Sequence, residues 1–336
     1  MTLTVTEKES GKTIRELLRK DMGYSSGMLK KLKFTEGGIT VNGGFVTVRY
    51  ELKVGDVLRL ADEDRPEDTC PYMIPVDLPL KIVYEDADVT AVDKPPAMPA
   101  HPSHGHRLDT VANALAYRYR GAPYVFRPVN RLDCDTSGLM LTANTRLAAS
   151  LLYRSMVAGD IIKMYVAVLS KAPEISEGAI DLPMGRCDDS IIKRRIYSPE
   201  EPGAKSALTL YTVLYTDSQN GRCAVLAAPV TGRTHQLRLH FAAVGCPLCG
   251  DSLYDSPDMA IGRQALHAAY LSFPHPANKE RITLTSPLPD DIASLLSDPH
   301  EAATRFEAAA ERTLEKLTLI KKQNSAPDNP PGNGKS

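Results

Sequence analysis

Apolar and polar residues alternate along several short runs in the middle of the chain, and this pattern predicts β-strands. The strand-like runs are KIVYED, VTAVDK, IIKMYVAVL, SALTLYTVLY, RCAVLAAPV, LHAAYLSF and RITLTS. Three other segments have helical periodicity: DTVANALAYRY, TRLAASLLYRSMVAG and HQLRLHFAAVG. Because the strands outnumber the helices and do not alternate strictly with them, we expect an α+β domain with a mixed, largely antiparallel sheet and flanking helices.

The chain divides into five segments of different character. Residues 1–60 combine the helical patterns TIRELLRKDMG and MLKKLK with a hairpin signal at ITVNGGFVTV and a strand at LKVGDVLRL, which predicts a small α/β domain. Residues 61–77 are rich in acids and prolines, and we interpret them as an acidic linker. We expect the large domain to span residues 78–298, a C-terminal helix residues 299–322, and a disordered tail residues 323–336.

Composition and charge narrow the class of protein. The chain has 336 residues, of which 43% are hydrophobic and 24% charged, as expected of a globular protein. It contains no apolar run of about 18 residues and no signal-like start, so we expect a cytoplasmic protein that does not span a membrane. The net charge of −1 argues against a basic coat protein, but residues 1–35 hold eight Lys or Arg against four acids.

Cysteine and histidine groups raise the question of a metal site. The candidates are Cys246 with Cys249, His235 with His240, and the loop histidines His101, His104 and His106. The cysteine pair lacks a second pair, and the two histidines of the helical pattern would point to different faces of a helix. The loop histidines need a fourth ligand from elsewhere. We therefore expect no metal and no other cofactor, and keep a metal-dependent hydrolase built on the loop histidines as an alternative.

The stretch RPVNRLDCDTSGLM, residues 127–140, contains a candidate reacting group. Asp133 follows Arg131 by two residues on a turn before an apolar run. It could be a cap, an ion-pair partner of Arg131, or a nucleophile that the guanidinium keeps ionised. Asp135 is an alternative cap. Sequence spacing alone does not separate these roles.

Two further segments contain polar residues that could be either structural or functional. TGRTHQLRLH places Arg233 and Arg238 between a strand and a helical pattern, which is typical of phosphate contact. Tyr165 lies in the strand-like run IIKMYVAVL, where a tyrosine ordinarily packs against the sheet.

Five motifs, in order, resemble those of the RluA-type pseudouridine synthases over roughly residues 78–290. They are VYEDADVTAVDKPPAMPAHP, NRLDCDTSGLMLTANT, KMYVAVL, TGRTHQLRLHFAAVGCPLCGDSLY and LHAAYLSFPHP. The resemblance implies an isomerase that converts uridines of RNA to pseudouridine without a cofactor. Residues 12–60 are similar to the alpha-L RNA-binding module that many of these enzymes carry.

The resemblance also implies roles for individual residues. It makes Asp133 the essential catalytic aspartate and Arg131 its neighbour in the Arg-Leu-Asp triplet. Tyr165 takes the place of the active-site tyrosine that contacts the base, and Arg238 that of the basic residue that pairs with the aspartate. Asn130 stands where most relatives have His, and Asp93 where Asn usually precedes the Lys-Pro pair. These departures keep open a non-catalytic RNA-binding or ribosome-assembly factor on the same scaffold.

RNA is the partner that these observations imply. We expect Lys30, Lys31, Lys33 and Arg233 to contact RNA phosphates. The three lysines could compensate for Ser-Ser-Gly at residues 25–27, where an arginine is common in the alpha-L module. That module favours ribosomal RNA over transfer RNA as the substrate. We expect the protein to be a monomer.

Overall fold

The computed structural model describes residues 1–187, 190–254 and 260–325, and the chain divides into two compact units. Unit 1 comprises Met1–Cys134, Met140–Ile161 and Phe273–Ile282. Unit 2 comprises Asp135–Leu139, Ile162–Ser272 and the described residues from 283 to 325.

The N-terminal part of unit 1 is built on a four-stranded antiparallel sheet of order β1-β4-β2-β3. Its strands are β1 (Thr2–Thr4), β2 (Ile39–Val41), β3 (Gly44–Phe45) and β4 (Val57–Leu60). Its helices are α1 (Ile14–Glu16), which continues as a π-helical turn over Leu17–Asp21, and α2 (Ser26–Phe34). Thr13 and Glu16 form a capping box on α1, and Ser25 caps α2. Buried Leu18, Tyr24 and Leu58 contribute to a core of their own.

The rest of unit 1 contains a second set of elements. They are β5 (Lys81–Glu85), β6 (Val89–Lys94), α3 (Val111–Arg118), β7 (Ser137–Ala143) and α4 (Arg146–Val157). Strands β5 and β6 pair antiparallel, and β7 follows β6 in the sheet. β7 begins in unit 2 and ends in unit 1.

Unit 2 contains the larger sheet, in which β7 is followed in order by β14, β8, β13, β12 and β9, with β15 beside β14. The strands are β8 (Ile162–Leu169), β9 (Glu177–Asp181), β12 (Leu208–Thr216), β13 (Cys223–Pro229), β14 (Leu266–Pro274) and β15 (Arg281–Thr285). The β7–β14 pair is parallel, and the four pairs from β14 to β9 are antiparallel. The predicted α+β class with a mixed, largely antiparallel sheet is confirmed. A separate hairpin pairs β10 (Met184–Cys187) with β11 (Ser190–Ile196).

Three helices complete unit 2: α5 (Gln236–Ala243), α6 (Asp290–Ala293) and α7 (Pro299–Ser325). Ala302, Ala309 and Ala310 of α7 belong to the core of this unit. Helix α7 continues three residues beyond its predicted end at residue 322. Most of the predicted tail, residues 326–336, lies outside the described residues. Within the described part of the chain, no helix is long and apolar enough to span a membrane.

Gly138 permits the close approach of β7 to β14. It lies opposite Ala268 with φ of 108°, and a β-carbon at this position would lie 2.4 Å from the carbonyl oxygen of Ala268. No side chain larger than hydrogen fits there without moving a backbone. The glycine of the Thr-Ser-Gly sequence is therefore required by the fold.

Candidate active site

The loop that carries Asp133 is anchored in unit 1 by backbone pairing. Val129 N donates to Leu141 O at 2.8 Å, and Ala143 N donates to Arg127 O at 2.8 Å. Asn130 is buried, and its Oδ1 accepts a hydrogen bond from Leu141 N at 2.7 Å. Asp133 itself is half-buried. Asn130 is thus a structural anchor three residues before the carboxylate.

Lys94 connects the loop after β6 to the residue that follows Asp133. Its side chain is fully buried, and Nζ donates to the carbonyl oxygens of Pro95, Met98 and Cys134 at 2.8, 2.8 and 2.7 Å. Three donors meet three acceptors, which satisfies the ammonium group in a site where an unpaired charge would be costly. Lys94 was not among the residues predicted from the sequence. A lysine that ends an otherwise apolar strand just before Pro-Pro is the signal that could have identified it.

Arg131 and His101 extend this part of the site towards solvent. Both residues are exposed, and the His101 ring contacts the Phe126 ring edge to face, with 4.9 Å between centroids. Partial desolvation of the imidazole by its neighbours, and secondly the charge of Arg131, lower the pKa of His101. A neutral imidazole, an aromatic ring and a guanidinium therefore lie near one another, which suits contact with a base and a phosphate.

The loop histidines do not converge on a metal site. His101 contacts Phe126, and His106 Nδ1 lies 2.6 Å from Asp109 Oδ2. Among the described residues, the one group of three potential ligands within 4.8 Å of one another is Asp86, Asp88 and His275. Two of these three residues are engaged with each other, because the carboxylate of Asp86 accepts hydrogen bonds from His275 Nε2, Tyr84 Oη and the backbone of residues 88 and 89.

The residues after Asp133 are held separately within unit 2. Arg263 Nη1 donates to Asp135 O at 3.1 Å, and Gln264 Nε2 donates to Thr136 Oγ1 at 3.2 Å. Ser137 Oγ lies 2.9 Å from Nδ1 of the buried His267. Buried polar groups of unit 2 thus fix residues 135–137, which follow Asp133 in the sequence.

Tyr165 lies on β8, opposite Ala227 of β13, and is 8% exposed. Lys163 precedes it by two residues and therefore projects from the same face of the strand. A β-carbon on Gly232 would lie 4.0 Å from Lys163 Nζ, so the amine reaches the Thr-Gly-Arg turn. Burial lowers the pKa of Lys163. Lys163 was not among the residues predicted from the sequence, although its spacing of two residues from Tyr165 is a signal that could have indicated it.

Arg238 of α5 forms a bidentate ion pair with Asp251. Nε donates to Oδ2 and Nη2 to Oδ1, each at 2.7 Å, and the two side chains are 9% and 1% exposed. The Tyr254 ring centroid lies 5.5 Å from the guanidinium carbon. Arg238 and Tyr165 belong to unit 2 and Asp133 to unit 1. The pairing of Arg238 with Asp133 stays a prediction.

Tyr254 ties the start of α5 to the β10–β11 hairpin. Its Oη accepts a hydrogen bond from Arg194 N at 3.0 Å and lies 3.0 Å from His235 Nδ1. Burial raises the pKa of Tyr254. His235 has the left-handed φ of 59° and immediately precedes α5. A polar network therefore sets the direction in which Arg238 leaves the helix.

His240 and Arg233 occupy different environments on either side of Arg238. His240 is buried, its Nε2 lies 3.1 Å from Leu182 O, and Nδ1 has no hydrogen-bond partner within the described residues. Burial lowers the pKa of His240. Arg233 is exposed, and its Nε donates to Ser206 O at 3.0 Å. Arg233 is thus available at the surface, whereas His240 is part of the interior.

The N-terminal part of unit 1 has an open cationic groove of about 700 Å³ between α1 and α2. It is lined by Arg15, Glu16, Arg19, Lys20, Ser26, Leu29, Lys30, Lys33 and Phe34. Arg19 donates to Ser26 Oγ, and both residues line the groove. Of the three predicted RNA-binding lysines, Lys30 and Lys33 line the groove, while Lys31 is paired with Asp68.

Comparisons with known proteins agree on one activity. The sequence profile of the RNA pseudouridylate synthase family matches residues 88–243. An uncharacterized RNA pseudouridine synthase of Bacillus subtilis, YjbO, is 38% identical over 278 residues, which cover 82% of this chain and 95% of that one. Ribosomal large subunit pseudouridine synthase D of Vibrio cholerae is 34% identical over 336 residues, 94% and 98% of the two chains. The solved structure of human RNA pseudouridylate synthase domain containing 1 aligns with a TM-score of 0.53 and 30% identity, over 62% of this chain and 83% of that one.

Proposed function

Because this chain belongs to the RluA-type RNA pseudouridine synthases, isomerases that convert uridine to pseudouridine, we propose that it modifies specific uridines of ribosomal RNA through Asp133. The observation that carries the proposal is the doubly anchored loop. Lys94 holds the carbonyl of Cys134, and Asn130 holds Leu141, so a half-buried carboxylate stands at a fixed point between them.

The reaction defines what the carboxylate has to do. The bond from ribose C1′ to uracil N1 breaks, the uracil turns, and a new bond forms from C1′ to C5. Asp133 serves the ribose centre, either by attacking C1′ or by assisting elimination to a glycal. The target base must first leave its stack to reach a loop at this depth.

The other site residues receive supporting roles. Tyr165, nearly buried on β8, stacks on the extruded uracil and takes part in proton removal at C5. Arg238 provides positive charge for Asp133 with the part of its guanidinium that does not face Asp251. Arg131 and Arg233, both exposed, contact phosphates beside the target nucleotide. No step in this scheme calls for a metal or a cofactor.

The two departures from the family pattern do not favour a non-catalytic factor. Asn130 is engaged with a backbone amide of β7, and Asp93 pairs with Lys81 at 3.3 Å, directly across the β5–β6 pair. Both residues therefore act on the scaffold. Their identity bears on loop geometry and leaves the residues proposed for chemistry intact.

Ribosomal RNA is the proposed substrate class, and the cytoplasm the proposed site of action. The name of the Vibrio cholerae relative supports this choice, since it is a ribosomal large subunit enzyme. The cationic groove of residues 1–60 supports RNA contact away from the reacting site. We propose that residues 1–60 act as an alpha-L RNA-binding module and that the enzyme works as a monomer.

The test is to map pseudouridine in total RNA from cells with and without the gene, and to restore the gene as wild type or as Asp133→Asn. The proposal expects a ribosomal RNA position that loses pseudouridine without the gene and regains it only with the wild type. Loss confined to transfer RNA would contradict the substrate class, and full restoration by the Asn variant would contradict the role of Asp133.

A further inference from the structure

We propose that the acidic linker is a rigid coupling element, and that Asp64 and Asp68 are positioning residues that fix the N-terminal module relative to the Asp133 loop. We call the two acids and their partners Lys31, Arg127 and Arg146 the linker latch. The proposal rests on the proposed function, because it concerns how RNA held by the module is presented to the catalytic loop.

Asp64 binds two arginines in a nearly buried setting. Its carboxylate accepts hydrogen bonds from both terminal nitrogens of Arg127, and the distance from Nη1 to Oδ2 is 2.9 Å. Arg146 Nε lies 3.2 Å from Oδ1 of Asp64. The side chains of Asp64, Arg127 and Arg146 are 10%, 14% and 18% exposed. Pairs at this depth are screened by salt much less than surface pairs.

Asp68 connects Arg146 to the N-terminal module. Its carboxylate is bonded to Lys31 of α2 and to Arg146 of α4, and Oδ2 accepts from Arg65 N at 3.1 Å. Asp68 N donates back to Arg65 O at 2.9 Å, which closes a short 3-10 turn over Pro66–Asp68. Arg146 thus bridges the two acids, and the linker has local structure between them.

Two cations of the linker latch lie on the segments that lead to the catalytic loop and to the cationic groove. Arg127 begins the segment that pairs with β7 and leads to Asp133, and its carbonyl accepts from Ala143 N at 2.8 Å. Lys31 is flanked in sequence by Lys30 and lies on the helix that forms one wall of the cationic groove. The linker latch therefore joins the base of the catalytic loop to the wall of the groove.

An apolar contact supports the same arrangement independently. Leu147 of α4 packs against the core of the N-terminal module. A β-carbon on Gly23 would lie 2.5 Å from Leu151 Cδ2, so the absence of a side chain at Gly23 allows α4 to approach. Ion pairs and apolar packing together hold the module at one position on unit 1.

A fixed module has a consequence for substrate choice. A flexible linker of this length would let its ends fluctuate over roughly 20–25 Å and accept many spacings between two RNA contacts. The linker latch replaces this range with one distance. The enzyme then selects RNA in which the segment bound by the groove and the target uridine are separated by that distance.

The experiment compares wild type, the latch variant Asp64→Asn/Asp68→Asn, and the control variant Glu63→Gln/Glu67→Gln. The control removes two charges from the same linker, at side chains that are exposed. Hydrogen exchange is followed at the linker amides. We expect protection in wild type and control, and a loss of at least about tenfold in the latch variant. Wild-type linker amides that exchange as fast as an unstructured peptide would overturn the proposal.

The second arm measures turnover on intact ribosomal RNA from cells lacking the gene and on short fragments of the same RNA. The latch variant should lose about tenfold in kcat/KM on intact RNA and nothing on fragments, while the control matches wild type on both. Equal kcat/KM for latch and control variants on intact RNA would overturn the proposal. If the wild-type enzyme forms no pseudouridine, the proposed function is wrong. Hydrogen exchange at the linker amides still shows whether the linker latch is formed. If the latch variant fails to fold, hydrogen exchange of the wild-type protein alone still tests whether the linker is ordered.

Discussion

Arg238 and Asp251 face each other edge to edge, with two hydrogen bonds of 2.7 Å between the guanidinium and the carboxylate. The resemblance to known enzymes suggested a different partner for this arginine, Asp133. Asp251 uses Nε and one hydrogen of Nη2, so it fixes the arginine without consuming its full set of five donors. The role of Asp251 is to orient Arg238.

Asp251→Asn is expected to destabilise the protein by about 3–5 kcal/mol, because it breaks an ion pair in which both side chains are buried. Asp291→Asn is the matched control. Asp291 forms the same bidentate pair with Arg263, whose side chain is also buried, but the Asp291 side chain is 45% exposed. Because water reaches the carboxylate side of this pair, we expect a smaller loss of about 1 kcal/mol. Urea unfolding of the two variants measures the difference. Equal losses would contradict the argument from burial.

Asp133→Asn is expected to abolish pseudouridine formation and leave RNA affinity and stability nearly unchanged, because the amide keeps the shape of the carboxylate and loses its charge. Asp135→Asn, two residues further along the loop, serves as the control and should remain active. Single-turnover assays decide. An Asp133→Asn enzyme that keeps more than about a tenth of the rate, a loss of only ~1.4 kcal/mol, would remove Asp133 from the mechanism.

Lys94→Met is expected to cost roughly 3 kcal/mol in stability and to lower kcat, because the carbonyls of Pro95, Met98 and Cys134, which are wholly or partly buried, lose their donor. Lys81→Met removes a lysine whose side chain is 65% exposed from the neighbouring strand, and should cost less than about 1 kcal/mol. Unfolding curves and turnover are measured together. A stable Lys94→Met protein with full activity would show that the loop does not depend on this lysine.

Lys30→Gln/Lys33→Gln is expected to weaken RNA binding and to reduce the slope of log affinity against log salt by about 1.4–1.8, because each of the two phosphate contacts contributes about 0.7–0.9. The control is Lys8→Gln/Lys53→Gln, which removes two exposed lysines outside the groove. Filter binding over a range of KCl concentrations gives both slopes. A control that matches the groove variant would mean that net charge, and not the groove, determines affinity.

Asp68 gives the linker latch a defined acid sensitivity. Burial alone would raise its pKa, but hydrogen bonds from Lys31, the Arg65 backbone and Arg146 lower the pKa from 3.8 to about 2. Because the folded-state pKa is the lower one, the stabilisation is complete above about pH 4 and is lost as pH falls towards 2. The stability difference between wild type and Asp68→Asn should therefore shrink over this interval. A difference that stays constant down to about pH 2 would exclude the pairing.

Alternation in the sequence was sufficient to predict most strands of the large sheet, but neither β9 nor β7 was predicted. The sequence of β7, SGLMLTA, is buried at every position, so no polar side chain marks an outer face. Strand β11, SIIKRRI, was missed for the opposite reason, since its charges occur in a row. Periodicity detects a half-buried strand, and these two strands are of other kinds.

Site residues that belong to one short motif could be predicted from the sequence. Contacts between residues that are distant in the sequence could not. Asp133 and Arg131 stand in one motif. Lys94 reaches a carbonyl 40 residues away, and Asp64 reaches an arginine 63 residues away. No spacing in the sequence encodes such contacts, because they depend on how the strands are paired. For this reason the composition of residues 61–77 predicted only a linker, and not the ion pairs that it forms.

The linker latch also affects how the protein should behave on a charged resin. Asp64 and Asp68 turn their carboxylates onto arginines and a lysine, so their negative field is largely cancelled before it reaches solvent. The lysines and arginines of the groove lie open to water. A formal net charge of −1 would predict feeble retention on any ion exchanger. The distribution of charge predicts instead that the protein adheres to a heparin column near neutral pH, and that Lys30→Gln/Lys33→Gln elutes earlier.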